Sequence, residues 1–322
     1  MNFTACRLSF RSGLHLGERE NWREGSGYLA HSDTLFGAFC HGYRLLYGEA
    51  ELTRLLERFR GEEPPFLLSS AFPYWDETWY LPIPLCQMPQ SKETKKIAFV
   101  GLPEWGRLTA GESLEALGSA AAMLPKLHCK PPQDKPWIVT DVPRVGLNRF
   151  TAHPDQNFFY FGETWFQEGA GLYFLFSVPD AQEDRRFRAV WRLLAHEGLG
   201  GDRSVGKGQF RPPEFVSLGI PTPTESDHLV CLSLYYPGPG EILGLDQGYY
   251  DLVDRRGYIF SPTRQSFRRR PVRLFAEGSV FPCPPERRGL LVDVTPESFD
   301  AHPVFRCGLA FTLPCRLPGG AL

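Results

Sequence analysis

The spacing of apolar residues in the first 75 positions predicts a strand, two helices and a second strand. The opening run Phe3-Thr4-Ala5-Cys6-Arg7-Leu8 reads as a strand, and a glycine-containing loop follows over 11–27. Leu35, Phe36, Phe39, Cys40, Tyr43 and Tyr47 then fall three or four apart, the spacing of one helical stripe that must pack on something. Ser32 or Asp33 can cap that helix, because their side-chain oxygens accept unpaired first-turn amides. Leu52, Leu55, Leu56 and Phe59 mark a second helix ahead of a strand at 66–71.

From Trp79 to Lys135 no period persists, and Pro-rich and Lys-rich stretches surround a short Ala-rich segment at 114–124. This is expected to be an insertion projecting from the first half. The apolar runs 158–161 and 172–178, with a polar, glycine-containing turn between them, predict a hairpin. A further helix carries Phe187, Val190, Trp191 and Leu194 on one face, runs to about Glu197 and ends at a glycine. Strands are predicted at 209–218, 229–236, 258–260, 272–275, 290–294 and 307–313. Strand runs mixed with a few helices indicate an α+β fold with antiparallel sheets, and no short repeat interrupts that reading.

Composition narrows the function. The 322 residues suit two domains of ordinary size, and 42% hydrophobic residues with 25 Phe supply ample core. No run of ~18 apolar residues and no signal-like start is present, so no membrane partner and a cytoplasmic location are expected. The eight cysteines form no C-x-x-C pair and have no histidines at metal-ligand spacing, which implies reduced, mostly buried thiols and no metal or other cofactor. A formal net charge of −2 argues against coating nucleic acid by bulk electrostatics, so any RNA contact must be local. Basic clusters stand at Lys92-Lys95-Lys96, Arg185-Arg186-Arg188 and Arg268-Arg269-Arg270-Arg273; each is either a contact surface or a solvated face. Alternation along a strand would send Arg268 and Arg270 to one face and Arg269 to the other.

The most informative segment is Gly198-Leu199-Gly200-Gly201-Asp202-Arg203-Ser204-Val205-Gly206-Lys207-Gly208, between a helix and a strand. Glycine loses the most backbone freedom on ordering, so five in eleven residues imply positive φ angles or the close approach of another backbone. Exposed amides in such a loop can form anion sites, with Arg203 and Lys207 supplying charge. Residues 201–208 nearly match the nucleotide-binding pattern G-x-x-x-x-G-K-[ST]. The match fails because Gly208 replaces the Mg²⁺-ligating hydroxyl and because the loop runs from helix to strand instead of strand to helix.

A helix-to-strand loop of this form, continuing into Gln209-Phe210, resembles the glycine-rich loop of the RAMP superfamily of CRISPR proteins. His31-Ser32-Asp33-Thr34-Leu35-Phe36-Gly37-Ala38 resembles the first-helix entry of the fourth Csm subunit family. Pro143-Arg144-Val145-Gly146-Leu147-Asn148-Arg149 resembles that family's mid-chain segment, with Asn148 where Asp is frequent. Gly257-Tyr258-Ile259-Phe260 and the stretch from Phe275 to Phe281 resemble its second-half signature. The resemblance implies two ferredoxin-like (RRM-like) RAMP domains with antiparallel sheets and a thumb-like insertion. The halves are placed at 1–180, with the insertion at about 79–150, and at 181–322, with the glycine-rich loop at 198–208. It further implies a non-catalytic subunit of a type III-A CRISPR effector complex that caps the crRNA 5′ handle. The implied protein partners are the large polymerase-like subunit and the backbone subunit.

On this reading the RNA-binding residues are His15, His31, Ser32, Arg144, Asn148, Arg149, Gly200, Gly201, Arg203, Ser204, Gly206 and Lys207. Amides near Gly200, Gly201 and Gly206 would meet handle phosphates, with Ser204 as a donor. Ser32 as a plain helix cap, and Arg144, Asn148 and Arg149 as braces of a strand pair, are the alternatives. One rival function is a RAMP endoribonuclease with His15, His31 or His41 as general acid or base. A stand-alone RNA-binding module and the equivalent subunit of a type III-B or type I complex are others. Asp33 is a further candidate for chemistry, set against its place at a helix start.

Overall fold

The computed structural model describes residues 1–17, 27, 29–61, 63–87, 89, 91–118, 122–126, 135–147, 154–259, 267–284, 286 and 288–319. Strand β1 (Asn2–Leu8) is followed by helices α1 (Ser32–Tyr47) and α2 (Glu49–Arg60) and by short strands β2 (Leu67–Leu68), β3 (Phe72–Trp75) and β4 (Thr78–Pro82). Next come β5 (Ile97–Gly101), α3 (Leu102–Thr109), β6 (Met123–Pro125) and two long strands, β7 (Trp137–Leu147) and β8 (Pro154–Phe166). The series continues with β9 (Ala170–Ser177), α4 (Ala181–Glu197) and β10 (Glu214–Gly219). The rest is β11 (His228–Cys231), β12 (Leu252–Arg255), β13 (Val272–Phe275), β14 (Val280–Pro282), β15 (Gly289–Asp293), β16 (Phe305–Leu309) and β17 (Thr312–Cys315), with no α-helix among the described residues. The whole is a mixed α/β architecture of antiparallel sheets.

The main sheet has the order β10-β1-β9-β3-β4-β5-β6, with β2 also paired to β9. The path β1-α1-β3-β9-α4-β10, with the last strand beside the first and β9 beside it on the other side, is ferredoxin-like connectivity. Seven of the eight β9 residues are buried. Leu172, Phe174 and Phe176 enter the core beneath α1 and α4, while Tyr173 and Leu175 enter the core on the opposite face. A strand covered on both faces has no polar side to alternate with, which is why 172–176 reads as one apolar run. Phe174 packs on Trp191 with ring centroids 4.4 Å apart, and Phe176 stacks on Phe187 at 4.6 Å. The opposite core joins Trp105 of α3 to Val230, Leu232, Phe311 and Leu313, so the C-terminal half shares buried surface with the main sheet.

Several expectations change. The hairpin between 158–161 and 172–178 does not form, because β8 pairs with β7, Val145 lying opposite Phe158. A strand that is apolar on both faces belongs inside a sheet, whereas β8, with Phe158, Tyr160 and Trp165 exposed, suits an outlying ribbon. The insertion expected at about 79–150 divides in two. Strands β4, β5 and β6 extend the main sheet, pinned by buried Trp105, whose indole N–H donates to the Pro82 carbonyl at 3.1 Å. Strand β7 instead leaves the main sheet and pairs with β8 in a separate two-stranded ribbon. The division expected at 180 falls between β9 and α4, and β10 beyond it pairs with β1 of the main sheet.

Neither Ser32 nor Asp33 caps α1. His31 holds the N-cap position without a side-chain bond, and Ser32 and Asp33 are helical and buried. The Ser32 amide donates to Ser70 Oγ at 2.8 Å, and Ser32 Oγ accepts from the Leu234 amide at 3.0 Å. Asp33 accepts a bidentate pair from Arg255, both contacts 2.9 Å, and a third contact from Arg306. Burial pushes the Asp33 carboxyl up, but the two guanidiniums outweigh it and hold the group well below the usual carboxylate range. This carboxylate therefore ties α1 to β12 and β16 of the C-terminal half.

Asp33→Asn leaves two partly buried guanidiniums without their counter-charge and is expected to cost about 3–5 kcal/mol in urea unfolding at pH 7. Folded Asp33 holds its proton less tightly than the unfolded chain does. Its stabilisation is thus complete above the ordinary value of about 3.9 and is lost as pH falls below it, toward the depressed folded value. Between about pH 5 and pH 3 the wild-type chain should lose more stability than Asp33→Asn; equal losses would contradict this role for the carboxylate.

Candidate nucleic-acid interface

Helix α4 ends at Gly198, whose amide donates to the Leu194 carbonyl at 2.9 Å. The chain then folds back on itself and against residues 13–16. A Cβ on Gly208 would lie 1.9 Å from the Leu199 carbonyl oxygen, and one on Gly200 would lie 2.3 Å from the His15 carbonyl oxygen; both have positive φ, +70° and +85°. The Gly201 amide donates to His15 O at 2.9 Å, and the Gly206 amide to Arg203 O at 3.0 Å. These two amides, expected to meet phosphates, are therefore engaged inside the protein. The glycines chiefly permit close packing, and what the loop offers outward is the half-buried backbone at 200–201, the Arg203 side chain and the exposed Ser204 and Val205.

The other two loop-side cations are engaged as well. Lys207 Nζ lies 2.8 Å from Glu163 Oε2, and Arg144 contacts Asp202 closely and Glu163 at 3.5 Å. The Arg144 guanidinium sits 4.4 Å over the Phe161 ring. Two cations thus balance two carboxylates, one of them, Glu163, only 1% exposed, and lock the root of the β7–β8 ribbon to the glycine loop. His15 belongs to the same junction. Its Nδ1 donates to the Gly162 carbonyl at 2.7 Å, and its ring packs at a tilt against Phe161, centroids 4.0 Å apart. Because a carbonyl only accepts, the neutral His15 ring keeps Nε2 as its acceptor.

An open cleft of about 1210 Å³ lies among α1, the glycine loop and strand β12. Of the residues expected to bind RNA, it brings together His15, His31, Gly200, Gly201 and Arg203. Ser32 is buried, Ser204 is exposed, and neither these nor Arg144, Gly206 and Lys207 line the cleft. Asn148 and Arg149 lie outside the described residues. The cleft adds three cations that sequence reasoning did not single out for it: Arg255, Arg269 and Arg306.

With Arg203 they set four arginines against three aspartates in the cleft lining, Asp33, Asp251 and Asp254, a local positive surplus in a chain of net charge −2. Arg255 and Arg306 share the single Asp33 carboxylate, and Arg269 stands beside them with an Nε that has no hydrogen-bond partner among the described residues. Burial, reinforced by repulsion from Arg306 and Arg255, pushes Arg269 down to about 10; burial also lowers Arg203 and Arg306. All remain cations at neutral pH, and an anion in the cleft would relieve their mutual repulsion. Among the acidic lining residues, Asp254 pairs with Arg273 at 2.8 Å.

His31 completes the cleft wall. Its Nδ1 lies 2.7 Å from Glu277 Oε1, and Glu277 also accepts from Ser70 Oγ. Burial raises the Glu277 carboxyl, yet His31 and Ser70 together hold it below its ordinary value. The basic clusters flagged in the sequence separate in space. Arg186 braces Tyr43 at 3.0 Å and Glu51 at 3.3 Å, Lys92, Lys95 and Lys96 are exposed, and Arg268 and Arg270 face solvent while Arg269 turns inward.

Comparison with known proteins adds the family. Residues 224–315 match the family model described as the CRISPR Csm4 C-terminal domain. The protein named CRISPR system Cms protein Csm4 from Thermococcus onnurineus (strain NA1) is 31% identical over 298 residues, covering 91% of this chain and 93% of the relative. The protein of the same name from Streptococcus thermophilus is 30% identical over 312 residues, covering 89% and 93%. Two solved structures share the fold. A chain of the Csm1-Csm4 cassette in complex with cA4 superposes with a TM-score of 0.62 at 24% identity, over 99% of this chain and 100% of that one. A chain of the Csm3-Csm4 subcomplex in the type III-A CRISPR-Cas interference complex gives 0.64 at 19% identity, over 98% and 99%. Similarity that runs almost the full length of both sequences, at these identities, places this chain in the Csm4 family of CRISPR proteins.

Proposed function

We propose that the chain is a non-catalytic subunit of a type III-A CRISPR effector complex that caps the 5′ handle of crRNA. The observation that carries this reading is the cleft itself, which the bare backbone of Gly200 and Gly201 lines together with Arg203, Arg255, Arg269 and Arg306. Backbone without side chains lets a ribose-phosphate chain come close, and guanidiniums bind phosphates as planar donors. Such contacts fix register without reading sequence. The Csm1-Csm4 and Csm3-Csm4 structures that share this fold support docking on a large polymerase-like subunit and a backbone subunit.

The same geometry bears on catalysis. The Asp33 carboxylate is 0% exposed and fully occupied by two arginines, so it is not placed to take a proton from RNA. One observation favours the endoribonuclease alternative: His31 lines the cleft and is oriented by a buried carboxylate, the arrangement of a general base. The non-catalytic reading expects no cleavage when the purified chain is incubated with labelled repeat RNA. A specific product that is lost in His31→Ala would establish the nuclease instead.

Binding tests the main proposal directly. Fluorescence anisotropy with repeat-derived single-stranded RNA should show affinity falling steeply with salt. Arg203→Gln should weaken binding at every sequence tested and reduce the slope of log K against log salt by about 0.7, the loss of one phosphate contact. An unchanged slope and affinity would remove Arg203 from the interface.

A further inference from the structure

Beside the cleft lies a second pocket of about 360 Å³, between α1, α2 and residues 301–305. Phe36, Leu52, Leu56, Ile259 and Val304 give it apolar walls. Gly37, His41 and Arg269 line both cavities, so the two are contiguous at those residues. Arg269 therefore has a cationic cleft on one side and an apolar slot on the other.

The cleft side of this junction is short of negative charge. Arg306 is 6% exposed, pairs with Asp33 and the Arg256 carbonyl, and keeps an Nε with no hydrogen-bond partner among the described residues. Arg269 Nε is in the same condition, and its mid-chain position between exposed Arg268 and Arg270 turns it inward. Arg255, Arg269 and Arg306 gather about Asp33, while Glu277, which also acts on Arg255, is paired with His31; an oxyanion would satisfy the remaining guanidinium donors. The pocket side has the opposite need: its apolar walls want a flat, largely apolar group, and 360 Å³ is within the range of small-ligand sites. Single-stranded RNA supplies both groups on one nucleotide, a phosphodiester and, across the ribose from it, a base that can be splayed from its neighbours.

We propose that Arg255, Arg269 and Arg306 with the adjoining apolar pocket form a bipartite site for one nucleotide of single-stranded RNA. Its phosphate lies against the arginines and its base enters the slot past Arg269. The proposal rests on the RNA-binding reading above and adds to it a position where one base is held apart from its neighbours. Base readout of this kind is distinct from the sequence-independent contacts at Gly200, Gly201 and Arg203.

The test uses the full chain, fluorescein-labelled repeat RNA, and a set of the same RNAs each carrying one abasic position. Arg269→Gln removes the shared wall's charge, and Leu56→Trp fills the slot; thermal melting checks that both variants fold. Each is expected to weaken binding about five- to tenfold. One abasic position should cause a similar loss in the wild-type chain and no further loss in Leu56→Trp, because both remove the same contact. If the wild-type chain binds RNA while folded Arg269→Gln and Leu56→Trp bind within twofold of it, the site is wrong and the wider reading stands. If no abasic position is coupled to Leu56→Trp, the slot holds no base. If the wild-type chain binds no RNA in the assembled complex either, both readings fall.

Discussion

One buried carboxylate set against more than one guanidinium governs this molecule. Asp33 stands in the first turn of α1, and its two arginine partners come from strands more than 200 residues later in the chain. The pairing fixes how the first helix meets the C-terminal half, and it leaves the cleft beside it with more positive than negative charge. A fully neutralised network would have offered nothing to an anion. The interaction that holds the halves in register is in this way also the source of the local field that a chain of net charge −2 otherwise lacks.

The glycine loop plays a complementary part. Its positive φ values and its contacts with residues 13–16 show that most of its glycines exist so that two backbones can touch. That contact places the 200–201 backbone at the cleft wall and brings Asp202 and Lys207 to the ribbon root, where Arg144 and Glu163 complete an ionic lock. Cleft and ribbon are thus held in fixed relation by one short segment. The exposed Ile138, Val139, Val145, Phe158 and Tyr160 extend from that anchored root.

Much of the fold was legible because its signals are local. The stripes of α1, α2 and α4 and the apolar run of β9 follow from burial of one face or of two, and the structure places helices and a central strand there. The failures are equally physical. Strands β4, β5 and β6 are 5, 5 and 3 residues long, too short for a period to register, so an extension of the sheet read as a projecting insertion. Ser32 and Asp33 have the chemistry of helix caps, yet tertiary partners at Leu234, Arg255 and Arg306 claim both. The loop pointed to the right region, but Lys207 and Arg144 carry charge that carboxylates elsewhere in the chain already answer. Arg255 and Arg306 went unseen for the converse reason: nothing near them in sequence marks them, and only the fold brings them to Asp33.

The central claim is that RNA lies along the wall formed by residues 199–203 and the arginines opposite. Photocrosslinking of 4-thiouridine-substituted crRNA in the assembled effector complex, with peptides mapped by mass spectrometry, addresses it most directly. The account predicts handle crosslinks to segments 199–203, 251–258 and 267–269. Crosslinks confined to the exposed lysines at 92–96 or to the outer face of α4, with none in those segments, would contradict it.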